Sequence, residues 1–108
     1  VDVAFKVGEN VTSVVSGKVT KLGWPYRDPS KSNLRYVEVT KNGYRFRLHY
    51  VKPSVKVGDI VKFGDVLGTA QSTGVFYKGV TEHVHVETWN KKGKRFDPTA
   101  LILSLISE

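Results

Sequence analysis

The chain has three histidines, His49, His83 and His85, and neither cysteine nor methionine. Without thiols there can be no disulfide, thiolate metal site or cysteine nucleophile. A transition-metal site would have to be built from imidazole and carboxylate. His83 and His85 stand two apart in His83-Val84-His85-Val86-Glu87-Thr88-Trp89, a strictly alternating run. On a strand, residues two apart project from one face, ~6.5–7 Å apart at the backbone. Two rings placed this way can converge on one ion, each binding zinc through a neutral nitrogen at about 2.0–2.1 Å. Glu87 continues the same phase and can orient a histidine as an outer hydrogen-bond acceptor. Taken alone, the His-x-His pair also fits two ordinary half-buried histidines, and Glu87 a solvated strand charge.

His49 falls in a second alternating run, Tyr44 to Tyr50. Tyr44, Phe46, Leu48 and Tyr50 take one face, and Arg45, Arg47 and His49 the other. Asp2 supplies a carboxylate near the chain start; as an isolated residue it also fits a frayed terminus.

The elements that must position these residues read as strands. Leu34 to Thr40 is rich in β-branched and aromatic residues, and Asn42-Gly43 joins it to the His49 run as a hairpin turn. Val11 to Leu22 is strand-like, with Gly17 as a bend. Val7-Gly8-Glu9-Asn10-Val11 echoes Val57-Gly58-Asp59-Ile60-Val61, a weak repeat that fits a duplicated β unit. The stretches 23–33 and 71–82 carry breakers and are expected as surface loops. Only the tail has helical spacing: Asp97-Pro98 fits a cap and first turn, followed by Leu101, Ile102, Leu105 and Ile106.

The 108 residues suffice for one domain, with 40% apolar and 25% charged residues, an ordinary globular balance. No apolar run approaches the ~20 residues of a membrane helix, and the N-terminus carries no basic-then-apolar leader. The net charge of +7 favours anionic partners. A nucleic-acid reader would be expected to show a recognition helix, finger or stacking motif, and none is present. An anionic cell wall or other acidic polymer is therefore the expected partner, and nucleic acid is not.

Longer motifs make the pattern specific. Leu48-His49-Tyr50 is followed by Val55-Lys56-Val57-Gly58-Asp59-Ile60-Val61-Lys62-Phe63-Gly64-Asp65-Val66-Leu67-Gly68, then Ser72-Thr73-Gly74, His83-Val84-His85-Val86-Glu87 and Asp97-Pro98. In this order they resemble the peptidoglycan-cleaving zinc metallopeptidases of the lysostaphin and LytM type (peptidase family M23). Val1-Asp2-Val3 resembles the end of that family's H-x-x-x-D motif. The resemblance spans nearly the whole chain.

The resemblance implies an all-β fold, a small antiparallel sheet of barrel-sandwich hybrid type, with a substrate groove and a short C-terminal helical segment. It implies a single peptidase domain over residues 1–108. Asp2 and His85 would ligate Zn2+, while His49 and His83 would be the catalytic histidines that contact water and the developing oxyanion. Glu87 would support a ligand. Arg45, Arg47, Trp24 and Tyr26 are candidates for substrate contact. The substrate would be a peptidoglycan peptide, and the location extracytoplasmic: cell envelope, secreted, or phage particle. The family's first ligand is a histidine four residues before the aspartate, and Val1 is the only residue before Asp2 here. The chain is therefore expected to start just inside the motif.

Two other readings fit parts of the sequence. One is a non-catalytic module of the same fold, acting in wall binding, amidase activation or envelope or phage-tail assembly. The other is a carrier or phosphotransfer domain, since such domains share the Val-Gly-Asp turns. Absence of Met removes a Met-Lys-Met lipoylation site, and the His-x-His-x-Glu strand is foreign to the phosphocarriers.

Overall fold

Alternation of apolar and polar side chains decides the architecture. Ten strands form in the computed structural model: β1 (Asp2–Ala4), β2 (Asn10–Thr12), β3 (Gly17–Gly23), β4 (Tyr36–Lys41), β5 (Tyr44–His49), β6 (Val51–Pro53), β7 (Ile60–Val61), β8 (Val66–Ala70), β9 (His83–Trp89) and β10 (Arg95–Phe96). The structure describes residues 2–4, 7–24, 34–71, 83–97 and 99; the side chains of residues 2–4 and of His83 are not described.

Seven strands make one antiparallel sheet in the order β1-β9-β5-β4-β3-β7, with β10 pairing β9 beyond β1. β2, β8 and β6 make a second, three-stranded sheet. The two bury a common core. Val19, Val37, Val39, Phe46, Leu48, Val84 and Val86 come from the large sheet, and Val11, Val51, Leu67 and Ala70 from the small one. Antiparallel sheets bury one face and leave the other to polar residues. That second face of the large sheet carries His49 and His85.

The β4–β5 hairpin turns at Asn42 (φ 49°) and Gly43 (φ 83°), both left-handed, as the Asn-Gly pair predicts for a two-residue turn. The repeat noted in the sequence corresponds to two turns of one kind: Gly8 (φ 83°) and Gly58 (φ 99°) each precede a short strand.

Three expectations are corrected. Val11 to Leu22 is not one strand, because β2 belongs to the small sheet and β3 to the large one. No barrel closure forms among the described residues: β1 and β7 end the large sheet at opposite edges and do not pair. The chain changes sheet instead at Tyr50, a non-glycine residue with φ 70°, directly between β5 and β6. Its N–H and that of Val51 both donate to the Arg35 carbonyl, at 2.7 and 3.1 Å. Such a backbone costs about 1–3 kcal/mol and persists only where its surroundings enforce it. Nor is a helical element found among the described residues. The described tail ends at Thr99, a single residue of helical conformation whose N–H (2.9 Å) and hydroxyl (2.6 Å) donate to Asp97 Oδ1. Residues 100–108, which carry the helical spacing, lie outside the described residues.

Candidate functional site

Strand register gathers the chemistry-bearing residues into cross-strand rows. Asp2 is the backbone partner of His85, His85 of His49, His49 of Tyr36, and Tyr36 of Gly23. One row thus crosses β1, β9, β5, β4 and β3. Neighbouring strands lie ~4.8 Å apart, so the Asp2 and His49 backbones stand ~10 Å apart with His85 between. His83 lies two residues along β9, opposite Ala4.

His49 is buried, with only 6% of its surface exposed. Its ring centroid lies 5.3 Å from Tyr36, 6.2 Å from Tyr50 and 5.7 Å from His85. Gly23 makes room for this stack, since a Cβ there would sit 2.4 Å from the Tyr36 ring. Nε2 of His49 is 2.7 Å from Glu87 Oε1. The two are nevertheless poorly aligned, and Nε2 has no hydrogen bond of good geometry. Nε2 is enclosed, with the Glu87 carboxylate against it, and that contact favours the protonated imidazole. Burial pushes the His49 imidazole down to about 4, assisted by the charges of His85 and Arg47 and opposed by Glu87. His49 is consequently neutral at pH 7.

Glu87 is the hub of the site. Oε1 approaches His49 and stands 3.9 Å from His85 Nε2, while Oε2 takes an ion pair from Arg95 at 2.8 Å. β10 exists to deliver that arginine, because Arg95 pairs with Trp89 on the edge that β1 leaves uncovered.

The next rows hold the arginines. Arg47 Nε donates to Glu38 Oε2 at 2.7 Å, and Arg45 adds a longer contact at 3.8 Å. The Arg47 guanidinium lies 4.8 Å from both the Tyr36 and Trp89 rings, and Arg45 lies 4.8 Å from Trp89. Glu38 also accepts the Thr20 hydroxyl at 2.8 Å, which a β-bulge in β3 brings into reach. Burial alone would raise the Glu38 carboxyl. The bonds from Arg47 and Thr20 and the two arginine charges outweigh it and hold the group below the usual carboxylate range.

Several expected site residues therefore meet, and others do not. His49, His85 and Glu87 share one cluster, with the Asp2 backbone adjoining. Arg45 and Arg47 share the His49 face, but their guanidinium groups are engaged by Glu38. Trp24 stands half exposed at the end of β3 under the Arg35 guanidinium, 4.0 Å from its ring. Tyr26 lies outside the described residues, as does most of both loops expected to wall a groove. Among the described residues, no group of three His, Asp or Glu side chains is gathered to hold a metal ion. Sequence reading missed Tyr36, Glu38 and Arg95. The first two were legible by phase, since they alternate with Val37 and Val39 and so must share the polar face. A pocket of about 480 Å³ lined by Val15, Tyr44, Phe46 and Phe96 with Lys41 and Lys91 opens elsewhere. Phe46 alternates with the His49 phase, so the pocket belongs to the opposite face.

Comparison with known proteins agrees with this geometry. The family model described as peptidase family M23 matches residues 1–98. A leukocyte cell-derived chemotaxin-2 of Mus musculus is 31% identical over 102 residues, covering 94% of this chain and 64% of that protein. A glycyl-glycine endopeptidase of Staphylococcus capitis is 33% identical over 88 residues, covering 81% of this chain and 23% of its own length. The solved structure of the antimicrobial peptidase lysostaphin from Staphylococcus simulans superposes with a TM-score of 0.72 at 27% identity, over 96% of this chain and 43% of that one. This chain thus spans less than two thirds of each of these relatives. With the motifs, the two-sheet fold and the sequence match in agreement, the chain belongs to peptidase family M23 and is related to the lysostaphin-type cell-wall hydrolases.

Proposed function

We propose that this protein is a zinc-dependent endopeptidase that hydrolyses peptide bonds in the cross-bridges or stem peptides of bacterial peptidoglycan. The observation that carries the reading is the row that sets Asp2, His85 and His49 on three adjacent strands, in a chain of this family. The domain would cover residues 1–108 and would work outside the cytoplasm, where its substrate is.

Asp2 and His85 would hold the zinc. Carboxylate and imidazole are the donors that zinc accepts, and direct backbone pairing makes these two residues neighbours. The third ligand would be the histidine of the H-x-x-x-D motif, four residues before Asp2. Bound there, zinc supplies Lewis acidity, polarising the scissile carbonyl and acidifying water. His49, kept neutral by burial, offers a nitrogen that can accept a proton or a hydrogen bond beside the metal. Glu87 keeps the His49 ring in place, and Arg95 keeps Glu87 in place. His83 would act as the second catalytic histidine, stabilising the oxyanion. Arg45, Arg47, Trp24 and Tyr26 would flank the bound peptide. A Gly- or Ala-rich wall peptide is the expected substrate, in keeping with a relative named for glycyl-glycine cleavage.

The test uses a chain extended upstream through the motif. It should bind one zinc; His85→Ala should abolish that binding, and His83→Ala should abolish hydrolysis while leaving most of the metal. Equal loss of metal in both variants would show that the roles are wrongly divided. A second reading, a non-catalytic module of the same fold, is favoured by one observation: a relative aligned over 94% of this chain is named a chemotaxin, not a peptidase. A zinc-loaded chain that leaves a soluble glycyl peptide intact would favour that module.

A further inference from the structure

Six of the seventeen lysines and arginines fall on two neighbouring hairpin tips. The tips of two hairpins read Lys41-Asn42-Gly43-Tyr44-Arg45 and Asn90-Lys91-Lys92-Gly93-Lys94-Arg95. Together they hold Lys41, Arg45, Lys91, Lys92, Lys94 and Arg95, and no acid. The tips lie side by side: Arg45 pairs with Trp89 across β5 and β9, and a Cβ at Gly43 would sit 3.1 Å from Lys91 Cγ. They are also fixed in shape. Asn90 Oδ1 accepts the N–H groups of Lys92 (2.9 Å) and Lys94 (3.0 Å), and the Asn90 N–H donates to the Lys94 carbonyl at 2.8 Å. Arg45 and Arg95 are balanced by Glu38 and Glu87. Lys41, Lys91, Lys92 and Lys94 are exposed and enter no ion pair among the described residues.

We propose that these paired tips are a docking surface for a phosphodiester-bearing polymer of the cell wall. The proposal rests on the wall-peptidase reading and adds to it a second contact, carried by Lys41, Lys91, Lys92 and Lys94 and adjoining the peptide site at Arg45. Arg45 and His49 are four strand residues apart, so the surface begins ~13 Å from the buried histidine. Lysine ammonium groups are compact, strongly hydrated point charges, suited to mobile phosphates more than to a fixed planar carboxylate. A single-stranded nucleic acid would need free aromatic faces for its bases. Here Tyr44 is met by the edge of Phe96 and by the Lys91 ammonium, and Trp89 is covered by Arg45 and Arg47. A bilayer would need apolar side chains to insert, and the tips expose none beyond Tyr44.

The experiment measures binding of the full-length, zinc-loaded protein to purified walls, before and after their phosphate polymers are removed by mild acid. Wild type should lose about tenfold in affinity on stripping. The triple variant K91Q/K92Q/K94Q should bind intact walls as weakly as wild type binds stripped ones. Its slope of log affinity against log salt should be shallower by about 2, at ~0.7 per lost phosphate contact. Hydrolysis of a small soluble peptide should be unchanged, which separates failure of docking from failure of the peptidase reading. Equal binding of wild type to intact and stripped walls, or wild-type affinity in the triple variant, would overturn the proposal. So would equal or tighter binding to duplex DNA or to phosphatidylglycerol vesicles at the same salt.

Discussion

Replacing Glu38 tests whether the polar face is held by its central carboxylate. Glu38 is 5% exposed and accepts two short bonds, from Arg47 Nε at 2.7 Å and the Thr20 hydroxyl at 2.8 Å. In Glu38→Gln both contacts survive, because the amide oxygen can accept from Arg47 and the amide nitrogen can donate to a rotated Thr20 hydroxyl. Only the charge is lost. A bond to a charged group contributes about 1.5–3 kcal/mol and a neutral one about 0.5–1.5. The Arg47 side chain keeps 22% exposure, so solvent screens part of the difference. The expected loss is about 1.5 kcal/mol, or a Tm lower by about 8 °C. Glu38→Ala also strands both donors and leaves a void, so about 3 kcal/mol is expected. The sign of the pH dependence follows from the depressed carboxyl. Its contribution is fully present above the unfolded value of 4.5 and is lost as pH falls through the lower folded value. Urea titrations of wild type and Glu38→Gln should therefore differ by a constant amount above pH 5.5 or so and converge as the solution becomes more acid. A gap that stays constant into strong acid, or no gap at neutrality, would refute the assignment of Glu38 as a stabilising ion.

Other outcomes follow from the same face. His49 binds its proton only near 4 in the folded protein, against 6.5 when unfolded. The folded state should therefore lose about 3 kcal/mol as pH falls from 6.5 to 4, and urea titrations of His49→Gln should lack this slope. Gly23→Ala should cost about 1–3 kcal/mol through overpacking against Tyr36, and its near-ultraviolet circular dichroism should report the displaced ring. Arg95→Ala should leave zinc content unchanged while lowering kcat more than KM by about tenfold, the loss of one charge-assisted anchor on Glu87; Arg95→Lys should restore part of it. An Arg95→Ala enzyme with wild-type kcat would mean that Glu87 needs no such anchor.

The sequence made individual strands legible but not their partners. Alternation over Tyr44 to Tyr50 and over His83 to Trp89 marks both strands, the first one residue too long and the second at its observed limits, and puts His49 in phase with Arg45 and Arg47. It does not say that β5 and β9 pair, which is what brings His49 beside His85. The break between β2 and β3 was hidden because Val14 and Val15 are apolar through a stretch that only bends. Tyr50 carried no signal for its left-handed backbone, since tyrosine rarely adopts one and tertiary contacts impose it here. Phase places Glu38 on the polar face, but sequence alone does not show two arginines and a threonine closing over it. The helical spacing of the tail falls at Leu101 to Ile106, outside the described residues, and no helical element is found among those that are described.

The pairing of β1 with β9 has a consequence for how the protein assembles. Asp2 and His85 are 83 positions apart in the chain, and the strand that joins them has only three residues at the edge of the sheet. Closing so long a loop carries an entropy penalty that a three-residue edge strand repays poorly. β1 is therefore expected to dock last in folding and to open first under native conditions, well below the global unfolding free energy. An ion bridging Asp2 and His85 would act as a clasp on that loop, and its binding would appear as slowed hydrogen exchange at Val3 and Ala4 before it changed any other amide. In this arrangement the completeness of the metal centre and the retention of β1 would be one equilibrium, so a protein losing its ion would also expose β1 to proteolysis.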